Sequence, residues 1–358
     1  MKTWYTLFPD AMNYHLTKDV GYIPYLMHKN YGIESRIICY ETDKYDYLDN
    51  EVKGLKLEKL KKISNNKNLD SIIYLFLNSK KIDILNLYHF RKIHLVYVLV
   101  YKLLRPNGKV FMKLDANESI RNSKIGFLSN KILKKIDLIS VETIALHSWL
   151  NNNWPVKVEY IPNGFIKQDK EINTKNKKNI ILFVGRVGAP EKQNEILLNA
   201  FCSIYKQIPG WKLKFVGPIT KEFVEEVNKK ISDNSEMSKY IEVSGEVNEK
   251  QKLSDIYNEA KVFCITSKYE SFCLALAEAI GSGCYVITSN ILSASDITNN
   301  GEYGKVIDDI NDSNLAEALL SVCNSNTINY NLNNNIIKYA NDNFSWDSLC
   351  KKIYKFLY

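Results

Sequence analysis

Two short apolar runs, Val262-Phe-Cys-Ile-Thr266 and Cys284-Tyr-Val-Ile-Thr288, bracket a stretch of helix formers, Leu274 to Ala279, that ends at Gly281 and Gly283. The runs are rich in β-branched and aromatic residues and show no polar alternation, the pattern of parallel strands buried on both faces. A helix that starts after one such strand and ends before the next makes a strand–loop–helix–strand unit. That unit restricts the chain to open α/β sheets and places the loop Ser267-Lys-Tyr-Glu-Ser271 at a carboxyl sheet edge.

Ligands bind at that edge. A helix N-terminus there offers unpaired N–H groups and positive dipole to a phosphate. Glu270 stands just before the helix and Glu278 two turns inside it, about 80° round the axis at roughly 100° per residue. Two carboxylates so placed can accept hydrogen bonds from two hydroxyl-bearing parts of one ligand, and a sugar nucleotide is built as hexose, diphosphate and ribose. The alternative is a loop charge at Glu270 and a solvated Glu278. Because the neighbours of Glu278 are nearly all apolar, it needs a partner. Upstream, Phe183-Val-Gly-Arg-Val187 ends a buried strand in a turn, and Lys192 follows six residues after Arg186, opening a helix. An Arg fork and a Lys point charge that converge across such a turn suit a leaving diphosphate.

Glu-x7-Glu before Ala-x-x-x-Gly, with the Gly185-Arg186…Lys192 pair upstream, resembles the signature of the retaining glycosyltransferases of the two-Rossmann-domain (GT-B) fold, glycosyltransferase family 4. The likeness covers residues 160–310 by motif and the first half by architecture. It implies an α/β fold of two Rossmann-like domains facing each other across a cleft. Residues 1–165 with about 342–358 would form an acceptor domain, and 166–341 the donor domain. By resemblance, Arg186 and Lys192 hold the diphosphate and Glu270 the donor hexose. Ser271 and Phe272 supply helix-mouth amides, Glu278 meets the ribose, Gly185 makes the turn and Val247 grips the nucleobase through backbone. The expected reaction moves a hexose, with retention, from a nucleotide-diphosphate sugar to a hydroxyl of a glycan or lipid-linked acceptor. No enzymic base and no cofactor are expected, and no metal, since no Asp-x-Asp occurs. Domain closure would complete the site.

Two departures from the family pattern stand out. The loop after the first strand, His15 to Gly21, has one glycine where relatives have a pair, and Tyr285 replaces a usual proline. In this half Lys18, His89 and Asp115 are the possible acceptor or sugar contacts. His89 and Asp115 each follow a strand. A histidine there also serves structure, whereas a carboxylate after a buried strand has less structural reason. Phe215-Val-Gly-Pro218 ends another strand, its glycine either turning the chain or letting backbone approach a ligand.

The chain has 358 residues, room for two α/β cores. Residues 1–165 carry 25 Lys and Arg against 16 Asp and Glu, and the rest 23 against 24. The lysines from Lys53 to Lys67, interleaved with Leu55, Leu57, Leu60 and Ile63, read as a basic amphipathic surface facing anionic lipid or as a solvated face. No aromatic–basic pattern points to nucleic acid. Seven cysteines, odd in number and without a Cys-x-x-Cys pair, read as core residues in a reducing cytoplasm. Met1-Lys-Thr-Trp runs into a strand without a signal peptide, and no apolar helix reaches a membrane span. A cytoplasmic protein, peripheral on the inner membrane face, is the expectation. A nucleotide-sugar epimerase and a non-catalytic sugar-nucleotide binding subunit are the rival classes.

Along the chain, strands are expected at Trp4–Phe8, Ser35–Tyr40, Ile82–Leu87, Lys109–Lys113 and Leu138–Val141. Polar residues 166–178 read as a linker. A second alternation of strands and helices follows from Asn179, and a last helix runs from Phe344-Ser-Trp-Asp towards Tyr358.

Overall fold

The computed structural model describes residues 2–168, 172–325 and 327–358. The chain divides into two compact units, one of residues up to Asn163 with Trp346–Tyr358, the other Gly164–Ser345.

The first unit runs β1 (Thr3–Leu7), α1 (Asp19–Tyr31), β2 (Glu34–Cys39), α2 (Tyr47–Asn50), β3 (Lys56–Lys59), α3 (Lys67–Asn78), β4 (Ile84–Tyr88), α4 (Lys92–Leu104), β5 (Lys109–Lys113), α5 (Phe127–Leu133), β6 (Leu138–Val141), α6 (Ile144–Asn153) and β7 (Glu159–Tyr160). Its sheet is parallel throughout, ordered β3-β2-β1-β4-β5-β6-β7. The chain order reverses between β1 and β4, so the crevice at their carboxyl ends is the place for a ligand. Helix ends follow local chemistry: Asn66 and Thr143 cap α3 and α6 with their side chains, and Gly32 closes α1 at φ 64°. The C-terminal helix Trp346–Leu357 belongs here, burying Trp346, Leu349, Cys350 and Ile353 in a cluster with Trp4, Ile23 and Met27.

The second unit runs β8 (Lys178–Val184), α7 (Asn194–Ile204), β9 (Lys212–Val216), α8 (Lys221–Asp233), β10 (Ile241–Val243), α9 (Lys250–Glu259), β11 (Ala260–Ile265), α10 (Leu274–Gly281), β12 (Tyr285–Ser289), α11 (Ala294–Thr298), β13 (Gly304–Ile307), α12 (Asp312–Cys323) and α13 (Tyr330–Phe344); the terminal helix is α14. Its sheet is again parallel, ordered β10-β9-β8-β11-β12-β13. Here the switch point falls between β8 and β11. The opening strand–loop–helix–strand unit is β11, α10 and β12, with Val262, Phe263, Cys264, Val286 and Ile287 all fully buried.

Several expectations change. The run Lys53–Lys67 includes the edge strand β3, Lys56–Lys59; Leu55 and Leu60 are buried and Leu57 partly so, which gives the leucines to the core, while Ile63 is 60% exposed. Within the expected linker, residues 169–171 lie outside the described residues, but Thr174 and Lys177 are buried. The Lys177 ammonium donates to the carbonyls of Asn258 and Ala260, at 3.1 and 2.7 Å, where α9 ends. A cation there meets unpaired carbonyls and the negative helix end, which is why a polar segment packs tightly. The α12 cap is Asn311, whose side chain accepts the Asn314 N–H at 2.9 Å.

Candidate functional site

The first wall of the second unit's crevice is the turn after β8. The Gly185 N–H donates to Val216 O at 3.0 Å, continuing the sheet by one bond. Gly217, at φ +132°, packs so closely that a Cβ there would lie 1.9 Å from Gly185 O. The glycine of Phe215-Val-Gly-Pro is therefore a packing requirement between strand ends. Arg186 follows, its side chain 72% exposed and its guanidinium paired with Glu191. Lys192 does not open α7. It ends a single turn, Pro190–Lys192, and Gln193 at φ 47° separates that turn from the helix. Asn194 reaches back to accept the Gly188 N–H at 2.8 Å, which holds the turn shut.

The second wall is the loop after β11. Thr266 Oγ1 donates to the Lys192 and Gln193 carbonyls at 2.7 and 2.9 Å, and Lys268 N–H donates to Glu191 O at 2.8 Å. These bonds fasten the two loops together. The Lys192 ammonium pairs with Glu270, both side chains 16% exposed, and Ser267 Oγ donates to the same carboxylate oxygen at 2.9 Å. Arg186, Lys192 and Glu270 thus gather at the switch point.

Beyond Glu270 the chain dips into α10 through Cys273 at φ 68°. The ring of Phe272 is buried, 6.1 Å from that of Phe344, and its carbonyl accepts Ser293 Oγ. Among the described residues, the N–H groups of Ser271 and Phe272 donate to no protein acceptor. Burial pushes the Cys273 thiol up to about 12; Glu270 adds to the rise, Lys192 opposes it and Glu278 adds again. One thiol therefore senses all three charged groups. Glu278 finds the partner its apolar setting demands: Tyr257 Oη donates to it at 2.9 Å. Burial still raises the Glu278 carboxyl, against the Tyr257 hydrogen bond and Lys250. Val247 lines a hollow of about 660 Å³ with Lys214, Glu242, Ser244, Glu249 and Lys252. None of Arg186, Lys192, Glu270 or Glu278 lines that hollow.

In the first unit, His89 and Asp115 leave β4 and β5 in the left-handed region, at φ 65° and 41°. Their side chains meet, Nδ1 to Oδ2 at 3.7 Å. Non-glycine residues rarely hold such backbone unless their surroundings enforce it. The His89 N–H donates to Lys113 O at 2.9 Å, and His94 Nδ1 lies 2.8 Å from His89 O. Burial lowers His94 to about 4, so its neutral ring donates that bond near pH 7. Asp115 and Ala116 donate their N–H groups to Glu142 at 3.0 and 2.9 Å. Glu142 and Lys113 form an ion pair at 2.6 Å, both with 0% exposure.

Asp19, first residue of α1, comes within 3.9 Å of the Lys113 ammonium. Burial pushes Asp19 up to about 7, Lys113 opposing and Asp115 and Glu142 adding to the rise. Burial acts against the Lys113 charge, yet Glu142, Asp19 and Asp115 together raise it. Asp19 Oδ2 and Tyr88 Oη are buried without a hydrogen-bond partner among the described residues. Lys18 is exposed, its ammonium 4.8 Å from the Tyr14 ring, and joins this group only through its neighbour Asp19. Gly21 serves packing, since a Cβ there would stand 2.1 Å from Leu16 O.

The sequence profile described as glycosyl transferases group 1 matches residues 165–343, half of the chain. The chain belongs to this family. Capsular polysaccharide biosynthesis glycosyltransferase CapH of Staphylococcus aureus is 26% identical over 229 residues, 62% of this chain and 63% of that protein. A glycosyltransferase from Rickettsia africae superposes with a TM-score of 0.75 at 16% identity, over 99% of this chain and 97% of that one. HepE of Anabaena, solved with UDP and glucose, gives 0.70 at 14% identity, over 100% and 99%. The two Rossmann-like domains expected from the Glu-x7-Glu resemblance are those of a GT-B protein.

Within this group 1 member the matched region holds Arg186, Lys192, Glu270 and Glu278. Sequence reasoning missed Tyr257, which sits inside α9 with nothing to mark it. It also missed Asp19, Lys113 and Glu142. A signal for the last two existed: Lys113 and Glu142 end apolar runs that become neighbouring parallel strands, so opposite charges meet at one sheet edge.

Proposed function

We propose that this protein is a retaining glycosyltransferase that moves a hexose from a nucleotide-diphosphate sugar to a hydroxyl of a lipid-linked or surface-glycan precursor. The observation that carries the reading is the pairing of Lys192 with Glu270 at the β8–β11 switch point, beside the free amides of Ser271 and Phe272. An ammonium, two amides and the exposed fork of Arg186 suit a diphosphate; the paired carboxylate suits sugar hydroxyls. Glu278 is assigned to the ribose and the Val247 backbone to the nucleobase.

In the proposed reaction the bond from the sugar's anomeric carbon to the diphosphate oxygen breaks, and its electron pair leaves on that oxygen. Arg186 and Lys192 bind the departing charge more tightly as it grows, with no metal required. The acceptor oxygen attacks the same face of the oxocarbenium-like centre, and its proton passes to the leaving phosphate. His89 and Asp115 are assigned to the acceptor or sugar. The Lys113–Glu142 pair acts on them as a positioning device. The relative CapH supports a polysaccharide precursor as acceptor, and the seven free cysteines suit a cytoplasmic site.

The test incubates the purified chain with UDP-, GDP-, ADP- and dTDP-sugars, with and without lipid-linked and free glycan acceptors, and reads products by NMR. The expected product is a glycoside with the donor's anomeric configuration. A new nucleotide sugar from donor alone would make the protein an epimerase. Donor binding with transfer to none of the acceptors would make it a binding subunit.

A further inference from the structure

We propose that the outer face of α3, α4 and α5 is a docking surface for an anionic lipid bilayer. The three helices pack side by side, α4 against both α3 and α5. Each already buries an inner face: Tyr74 and Leu75 on α3, Leu95, Val98 and Tyr101 on α4, Ile132 and Leu133 on α5. The core therefore does not need the apolar residues on their outer sides. Phe76, Leu77, Leu103, Phe127 and Leu128 are nonetheless 65–77% exposed. Phe76, Leu77 and Leu103 lie in the last turns of α3 and α4, and Phe127 and Leu128 in the first turn of α5; large apolar side chains exposed on three neighbouring helices mark a contact surface, unlike a scattered single one.

Charge selects the occupant. Lys80, Lys92, Lys131, Lys134 and Lys135 are exposed on or just beyond these helices and have no acidic partner among the described residues. The one acidic residue within the three helices, Asp70, is buried and accepts hydrogen bonds from Tyr40 and Ser64. The Lys131 ammonium stands 4.5 Å from the centre of the Phe127 ring, so cation and aromatic face point outward together. Such a pair suits a headgroup boundary, with the ring among acyl chains and the ammonium at phosphate level. A second copy of the chain is the poorer occupant. A two-fold interface sets the same patch against itself, lysine against lysine. The lysine-rich run Lys53–Lys67, which the sequence nominated for lipid, is the β3 edge and its approaches. Docking of the α3–α5 face does not require that the chain transfer sugar.

The experiment is co-sedimentation of the full chain with phosphatidylcholine vesicles, with and without phosphatidylglycerol, at low and high salt. Wild type is expected to pellet with phosphatidylglycerol vesicles, less so at high salt. The variant Phe76→Ser/Leu77→Ser/Phe127→Ser/Leu128→Ser is expected to partition about tenfold more weakly. Lys131→Glu/Lys134→Glu/Lys135→Glu should lose the preference for anionic lipid. Both variants change exposed positions only, and an unchanged thermal midpoint is checked alongside. Three results would overturn the proposal: no pelleting of wild type with anionic vesicles, equal pelleting of wild type and serine variant, or a wild-type dimer that the serine variant dissolves.

Discussion

Lys113 and Glu142, from neighbouring strands β5 and β6, form an ion pair at 2.6 Å with neither side chain exposed. The same carboxylate accepts the Asp115 and Ala116 amides, so one buried pair sets the left-handed turn that aims Asp115 at His89. Breaking such a pair from one side leaves a charge uncompensated. Glu142→Ala is expected to cost about 3–5 kcal/mol of stability, measured by urea unfolding. Replacing both partners, as in Lys113→Met/Glu142→Leu, should cost clearly less. Equal losses in the two variants would mean that the pairing itself matters little.

Asp19 gives the same cluster a pH signature. Its folded pKa is raised to about 7 by burial first, with Asp115 and Glu142 adding to the effect. A raised acid binds its proton more tightly when folded, so its contribution is full below the unfolded pKa of about 4 and is lost as pH rises through 7. Asp19→Asn should therefore be more stable than wild type at pH 8, by up to roughly 4 kcal/mol, with the gain shrinking towards pH 4. Denaturation midpoints across that range check the sign.

Arg186 is mostly exposed and pairs only with nearby Glu191 among the described residues. Arg186→Ala should leave stability within about 0.5 kcal/mol. If the guanidinium meets the leaving diphosphate, turnover with the transferred sugar should fall about 10²–10³-fold. Near-normal turnover would remove Arg186 from the site.

Glu278 and Tyr257 separate a ligand role from a packing role. The Tyr257 hydroxyl ties down one carboxylate oxygen, at 2.9 Å. Glu278→Gln is expected to raise the donor KM about tenfold or more through loss of a charged hydrogen bond, with kcat little changed. Tyr257→Phe should lower stability with a smaller effect on KM. If both variants lose stability alike and neither moves KM, Glu278 is a core residue.

The sheets were legible because most strands carry a short apolar core: Val262–Thr266 and the Val-Phe-Met of Lys109–Lys113 fall on β11 and β5 to within a residue or two. The Arg186, Lys192 and Glu270 gathering was legible too, since each follows a strand that parallel topology brings to one edge. What composition hid were polar residues with structural work. Lys177 looked like linker but neutralises a helix end. The Lys53–Lys67 run reads as a lipid surface or a solvated face, yet it holds the edge strand β3, and Leu55 and Leu60 on either side of that strand are buried. The exposed apolar faces of α3 to α5 were invisible for the opposite reason: in sequence, an apolar residue facing outward looks the same as one facing the core.

The account stands most directly on titration calorimetry of UDP, GDP and ADP against wild type and Lys192→Met. It predicts that at least one diphosphate binds wild type and that Lys192→Met, checked to be folded at the assay temperature, weakens it tenfold or more, about 1.4 kcal/mol. Equal affinity of the two proteins for the bound nucleotide, or no binding of any of the three to wild type, would contradict it.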